Sequence, residues 1–184
     1  TTIAIYVKEV PVADFSFTNE CFGTATSFTD LSDPNGETIS SWAWDFDNNG
    51  VVDDGIQNPS NGYAAGGTYT AKLSIEVAGG CAGSITKEVV VNPRPVAIFS
   101  TSPGCLGTAT VFADLSTIIT GNITSWAWDF GDAAGTSVSK DPTYTYAASG
   151  DYDVTLTITS DSGCIESFST RVDVYPSPTA AFTT

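Results

Sequence analysis

The chain predicts an all-β protein built as two tandem immunoglobulin-like sandwiches, and three observations predict it. The first is an internal repeat. Ser41–Phe46 reads SWAWDF, and Ser125–Phe130 reads SWAWDF again 84 positions later. A repeat of this period marks one structural module per copy. The second is composition: Thr, Ser, Val, Gly and aromatics abound, while the helix formers Lys, Arg, Glu and Leu are scarce. The third is alternation. Tyr69, Ala71, Leu73, Ile75 and Val77 alternate with Thr70, Lys72, Ser74 and Glu76, and Tyr152, Val154, Leu156 and Ile158 do the same in the second copy. Period two with one apolar face is a half-buried antiparallel strand.

The elements follow in order. Residues 1–10 read as the last strand of a preceding repeat or its substitute, because TTIAIYV aligns with Ile85–Val91. Repeat one spans 11–93 and repeat two 94–177. Residues 178–184 align with Pro95–Phe99 and read as the first strand of a following repeat. Within repeat one, strands are expected near Ala13–Thr18, Ala25–Asp30, Ile39–Phe46, Tyr69–Val77 and Ile85–Asn92. Glycine-rich breaks such as Gly79-Gly80 and Asp161-Ser162-Gly163 separate strands. Strands at this spacing around a Trp-bearing central strand predict the sandwich. Tyr69 and Tyr152 are placed either as corner tyrosines or as ordinary core residues. The copies keep a step of 84 up to the Trp segment and 83 after it, so one residue is gained or lost between Asp47 and Asn58. Asn92-Pro93-Arg94-Pro95 and Tyr175-Pro176-Ser177-Pro178 are short and proline-stiffened, which predicts an elongated rod.

Bulk properties narrow the function. Six basic residues face 21 acidic ones, a net charge of −15. A nucleic-acid binder needs Lys and Arg to neutralise phosphates, so that class is excluded, and an anionic membrane surface is disfavoured equally. The sequence contains no segment apolar enough to insert into a membrane. With no histidine there is no Ser-His or Cys-His nucleophile system, which argues against an enzyme. Asp45 and Asp47 stand only two residues apart, whereas glycosidase carboxylates usually flank a cleft from separate strands. Each copy holds two cysteines, Cys21 with Cys81 and Cys105 with Cys164. One even pair per module reads as one disulfide per repeat, worth roughly 3–4 kcal/mol in a module short of core. Buried free thiols are the other reading. Zinc is disfavoured without histidine or a Cys-x-x-Cys pair.

The repeat breaks at one place that carries chemistry. After Phe46 copy one runs Asp47-Asn48-Asn49-Gly50-Val51-Val52-Asp53, where copy two has Gly131-Asp132. Counted from Asp45, the pattern D-x-D-x-N-G-x-x-D matches the first nine positions of a calcium loop of EF-hand type. Asp45, Asp47, Asn49 and Asp53 would supply side-chain oxygens, and Val51 its backbone carbonyl. Position 12 is Ile56 rather than Glu, so the bidentate ligand is missing unless Asp54 or a distant carboxylate replaces it. The alternative is an acidic turn capped by its own Asx side chains. Asn122-Ile123-Thr124 is a formal glycosylation acceptor that also suits a plain turn.

Trp128-Asp129-Phe130-Gly131-Asp132, then Asp141-Pro142-x-Tyr144-x-Tyr146, then Gly150-x-Tyr152-x-Val154-x-Leu156, resembles the signature of the PKD (polycystic kidney disease) domain. The first copy has Trp44-Asp45-Phe46, Asn58-Pro59, Tyr63 and Gly67-x-Tyr69-x-Ala71-x-Leu73. The family's usual His before the tyrosine is Gly62 in one copy and Thr145 in the other. The cysteine pair and the opening Pro-x-Ala-x-Phe look most similar to repeats in large surface proteins of Bacteroidota-like bacteria. The resemblance implies an extracellular, non-catalytic sandwich used in a stalk, surface adhesin or filament. It makes Trp44, Asp45, Phe46, Trp128, Asp129 and Phe130 scaffold, with both aspartates bonding loop backbone. The alignment of the two chain ends with strands of the repeat makes neighbouring repeats the expected partners, either in one covalent array or in a strand-exchanged homopolymer. The alternative is a glycan- or protein-binding accessory domain of a secreted hydrolase, in which Phe22 or Tyr63 engages the ligand.

Overall fold

A computed structural model describes residues 9–180, and the chain divides into two units at Asn92/Pro93. The strand expected at the start of the chain, and the end of the one expected over 178–184, lie outside the described residues. Every described element is a strand.

Repeat one contains β1 (Phe15–Phe17), β2 (Thr26–Asp30), β3 (Ile39–Asp45), β4 (Ser60–Asn61), β5 (Gly67–Val77) and β6 (Ala82–Val91). They form two three-stranded antiparallel sheets, ordered β1-β2-β4 and β3-β5-β6. Repeat two contains β7 (Phe99–Thr101), β8 (Gly104–Cys105), β9 (Thr110–Asp114), β10 (Ile123–Asp129), β11 (Thr136–Ser137), β12 (Thr143–Tyr144), β13 (Gly150–Ser160) and β14 (Ile165–Tyr175). Its sheets are ordered β12-β9-β7 and β11-β10-β13-β14-β8. The two extra short strands have counterparts in repeat one as single bridges, Cys21↔Asn92 for β8 and Trp44↔Asp54 for β11. Both copies also shift register at the same point of the Trp strand, between Ile39 and Ser41 and between Ile123 and Ser125.

Alternation along β5 and β13 turns Ala71, Leu73 and Ile75, and Val154, Leu156 and Ile158, into the core. Against them lies an aromatic layer. Trp44 is fully buried, with its ring 5.2 Å from Phe15 and 5.4 Å from Phe28; Trp128 sits 5.0 Å from Phe99 and 5.5 Å from Phe112. Tilted and edge-on contacts suit the aromatic quadrupole, and each pair adds about 0.5–1.5 kcal/mol beyond its buried area. Indole N–H groups inside a core need acceptors. Trp44 Nε1 donates to Ile56 O and Trp128 Nε1 to Ser139 O, both at 2.9 Å. Tyr69 and Tyr152 behave as corner tyrosines, donating to the carbonyls of Ala65 and Ala148 four residues upstream.

The cysteines correct one expectation. Cys21 and Cys164 are disulfide-bonded, while Cys81 and Cys105 are free thiols. The chain therefore does not carry one disulfide per repeat, as Cys21 with Cys81 and Cys105 with Cys164. Topology gives the reason. Cys21 bridges to Asn92, just past the end of β6, whereas Cys81 stands immediately before its first residue. Ten residues of strand at roughly 3.3 Å each separate them by about 30 Å. A disulfide needs its Cα atoms within about 7 Å. Cys105 pairs with Tyr175 at the end of β14 and Cys164 precedes its start, so the second copy repeats the geometry.

Candidate functional site

The loop after β3 is built around one buried carboxylate. β3 delivers Asp45 at its last residue, 6% exposed. Its Oδ1 accepts the N–H of Asn49 at 3.0 Å and its Oδ2 that of Gly50 at 2.8 Å. Burial pushes this carboxyl up, but the Gly50 and Asn49 amides outweigh it and hold the group below the usual carboxylate range. The chain must turn sharply to bring those amides back, and it does so with Asn48 at φ 54° and Gly50 at φ 88°. Glycine adopts the second without a Cβ penalty, and Asn tolerates the first.

Around Asp45 the other acidic groups converge. Asp47 accepts the Asn49 amide at 3.2 Å and its side-chain Nδ2 at 3.0 Å, and Asn49 Oδ1 accepts the N–H of Val51 at 2.7 Å. Asp53 is held by its own N–H on Trp44 O, and its Oδ2 accepts the N–H of Phe46 at 2.7 Å. One carboxylate oxygen from each of Asp45, Asp47 and Asp53 lies within 4.8 Å of the others. Of the five positions expected from sequence, three therefore come together as carboxylates. Asn49 spends its oxygen on the loop backbone, as the capped-turn alternative requires. Asp54 Oδ1 accepts Ile56 N–H at 2.9 Å.

Copy two builds a different turn from the same start. Asp129 is exposed and accepts Gly131 N–H at 2.9 Å. Asp132 does the work instead, accepting Gly135 N–H at 2.7 Å and Ala134 N–H at 3.2 Å, and taking the Tyr144 hydroxyl on its other oxygen. That hydroxyl and the Gly135 amide lower its pKa. Gly131 is essential here: φ is 79°, and a Cβ would stand 2.6 Å from Asp153 O.

The remaining motif residues are scaffold with identifiable tasks. Asn58 Oδ1 and Asp141 Oδ1 accept the N–H of Asp30 and Asp114, and Pro59 O and Pro142 O accept Phe28 and Phe112 N–H. The N/D-P motif thus fastens to β2 and β9. Tyr63 and Tyr146 donate to Phe46 O and Phe130 O. Asp30 and Asp114, which the sequence reading passes over, accept the outer indoles Trp42 Nε1 and Trp126 Nε1 at 2.7 and 2.8 Å. Their recurrence at the 84-residue step was the available signal. Tyr63 is half-buried, stacked at 4.1 Å on Tyr69, beside an open depression of about 440 Å³ that Asp47 and Asp53 also line. Phe22 is 38% exposed. Asn122 is exposed and turns its amides to Asp161.

Comparison with known proteins agrees with this architecture. The PKD domain model matches residues 8–93 and again 91–174. The pre-pro-metalloprotease PrtV of Vibrio cholerae is 38% identical over 79 residues, covering 43% of this chain and 8% of the protease. A microbial collagenase of Vibrio alginolyticus is 38% identical over 77 residues, covering 41% of this chain and 9% of that protein. The chain thus spans less than a tenth of these relatives. Among solved structures, the PKD1 domain of Vibrio anguillarum Epp is 30% identical with a TM-score of 0.43, over 46% of this chain and 96% of that one. The PKD1 domain of PrtV is 35% identical with a TM-score of 0.42, over 45% and 98%. Matched twice over nearly its whole length, the chain belongs to the PKD domain family.

Proposed function

We propose that this chain is a pair of non-catalytic PKD modules serving as an accessory region of a larger extracellular protein, a secreted hydrolase above all. One observation carries the reading: the relatives are a metalloprotease and a collagenase in which the matching stretch is under a tenth of the length. A disulfide supports an oxidising compartment, and the relative's pre-pro form is that of a processed precursor. In this role the modules hold a catalytic domain at a distance or bind its polymeric substrate. The test is co-sedimentation of the purified chain with insoluble collagen and with insoluble polysaccharide, alongside a proteolysis assay. Retention without hydrolysis supports the reading; hydrolysis by the pure chain overturns it.

A second reading, a structural stalk or adhesin, is favoured by the near-identity of the two copies around their Trp strands. It is tested by the full-length gene, where many further copies and no catalytic domain support it.

We further propose that Asp45, Asp47 and Asp53 hold Ca²⁺. The donor set is all oxygen, which suits a hard cation, and the loop carbonyls and water would complete the shell. The ion's role would be to fix the loop, at the weak affinity of extracellular modules, about 10⁻⁴–10⁻³ M. Melting is followed across a calcium titration of wild type and Asp47→Ala. A rise confined to wild type supports the site, and no rise at several millimolar refutes it.

A further inference from the structure

The two copies differ at one position beside the turn that follows the Trp strand. β4 and β12 hold the same place in their sheets: Asn61 pairs with Thr26, and Tyr144 pairs with Thr110. Asn61 and Tyr144 are therefore counterparts, at the 83-residue step that relates the copies after the Trp strand. In copy two the Tyr144 ring stacks on Phe130, with centroids 4.3 Å apart and planes at 10°, and meets Tyr146 edge-on at 4.9 Å. Its hydroxyl donates to Asp132 Oδ2. The turn closes tightly on it: a Cβ on Gly135 would stand 2.4 Å from the Tyr144 ring. Tyr146 is left only 2% exposed.

Copy one keeps the surroundings and lacks the ring. Tyr63 donates to Phe46 O as Tyr146 does to Phe130 O, and Tyr63 stacks on Tyr69 at the same 4.1 Å as Tyr146 on Tyr152. Tyr63 is nevertheless half-buried where Tyr146 is buried. With Asn61 in place of a tyrosine, a depression of about 440 Å³ opens among Phe46, Asn61, Tyr63 and the carboxylates of Asp47, Asp53 and Asp54. Pockets that hold a ligand span about 300–1,000 Å³. Among the described residues that line it there is no basic side chain to neutralise the carboxylates. The counterpart of Gly135 at the same step is Val52, which is exposed rather than packed on a ring. One socket is thus closed by the chain's own tyrosine, and the other is open.

We propose that the open socket of copy one is a docking site for a tyrosine side chain of a partner protein. The incoming ring takes the place that Tyr144 takes in copy two, against Phe46 and Tyr63, and its hydroxyl donates to Asp47 or Asp53. Three features select that group. Aromatic walls reward a ring that stacks or meets them edge-on. A hydroxyl donated to a carboxylate is a strong, charge-assisted bond, and the chain satisfies Asp132 in this way. The loop that carries Asp47 and Asp53 also exposes Val51, Val52 and Ile56, apolar ground that a polypeptide covers and a small molecule does not.

The experiment titrates the full ¹⁵N-labelled chain with N-acetyl-tyrosinamide and follows backbone amide shifts. Saturable shifts are expected at Phe46, Asp53, Asn61 and Tyr63, and none at the counterparts Phe130, Tyr144 and Tyr146. N-acetyl-phenylalaninamide, which lacks the hydroxyl, should bind about tenfold more weakly or worse. The double variant Val52→Gly, Asn61→Tyr grafts the closure of copy two onto copy one and should abolish the shifts. Tyr144→Asn opens the second socket and should create matching shifts at Phe130 and Tyr146, which keeps the proposal testable if the graft does not fold. Equal binding of the tyrosine and phenylalanine probes overturns it, as do shifts that survive the graft. Tighter binding of N-acetyl-argininamide, or of a chito-oligosaccharide, overturns it in favour of a guanidinium or a glycan. All titrations contain a chelator, so their outcome is independent of the calcium reading, which the melting experiment decides.

Discussion

Replacing Asp45 by Ala should cost far more than replacing Asp129, although the two residues hold the same position of the same six-residue motif. Asp45 is buried and accepts two backbone amides, Asn49 at 3.0 Å and Gly50 at 2.8 Å. Hydrogen bonds to a charged group are worth about 1.5–3 kcal/mol each, less what water recovers. Asn49 N–H keeps Asp47 as a second acceptor, whereas Gly50 N–H donates to Asp45 with no second acceptor among the described residues. The net expectation is therefore a loss of about 2–3 kcal/mol for Asp45→Ala. Asp129 is exposed and accepts one amide, so its loss should be about 0.5–1 kcal/mol. For a module of this size 1 kcal/mol moves the midpoint by roughly 4–8 °C. Calorimetry should then show the first-repeat transition falling by about 8–24 °C, and the second by about 2–8 °C. The sign of the pH dependence follows from the depressed Asp45 pKa. A folded value below the unfolded one gives stability that is present above the unfolded pKa of 3.8 and lost as pH falls through the folded value. The gap between wild type and Asp45→Ala should accordingly close in acid. Equal losses at the two aspartates, or a gap that widens in acid, would refute the account.

Four other outcomes follow from the same contacts. Trp42→Phe removes the indole bond to Asp30 while keeping most of the ring, and should cost about 1 kcal/mol by denaturant unfolding; Trp44→Ala, which empties the core, should cost about 3–5 kcal/mol. Gly131→Ala should destabilise repeat two by more than 1 kcal/mol, because its Cβ meets backbone at 2.6 Å, whereas Gly107→Ala, at a similar φ of 82° but in open space, should cost about 1 kcal/mol. Thr26 and Thr110 are buried with hydroxyls that find no partner among the described residues, so Thr26→Val and Thr110→Val should leave the melting point unchanged or raise it. Tyr63 is held un-ionised mainly by its burial, which pushes its pKa to about 12 from 10.0. Its stabilising contribution is full below pH 10 and is lost as pH rises toward 12, which ultraviolet titration of Tyr63→Phe against wild type should register.

Much of the fold was legible because its signals were long. Eleven-residue β5 and β13 show five cycles of alternation, enough to fix strand and face together. The two-residue strands β4, β8, β11 and β12 were not legible, since two residues carry no periodicity and their pairing depends on which loop arrives beside them. The acidic loop was legible in part. Side-chain identity at Asp45, Asp47 and Asp53 set the cluster, but whether Asn49 Oδ1 faces the cluster or the Val51 amide depends on the turn that Asn48 and Gly50 adopt. Tertiary partners were the least visible. Nothing near Trp42 in sequence points to Asp30, twelve residues away on the opposite sheet.

The cysteines show why spacing alone misleads in a sandwich. Two cysteines about 60 residues apart within one module invite a bond between them, because loop closure costs little more at that length than at half of it. The constraint that decides is direction. β6 and β14 run the length of their modules, and each places its two cysteines at opposite ends. A strand of ten residues does not bend back on itself, so no side-chain choice brings Cys21 to Cys81. A module that carries one cysteine at its entry and one at its exit cannot staple itself.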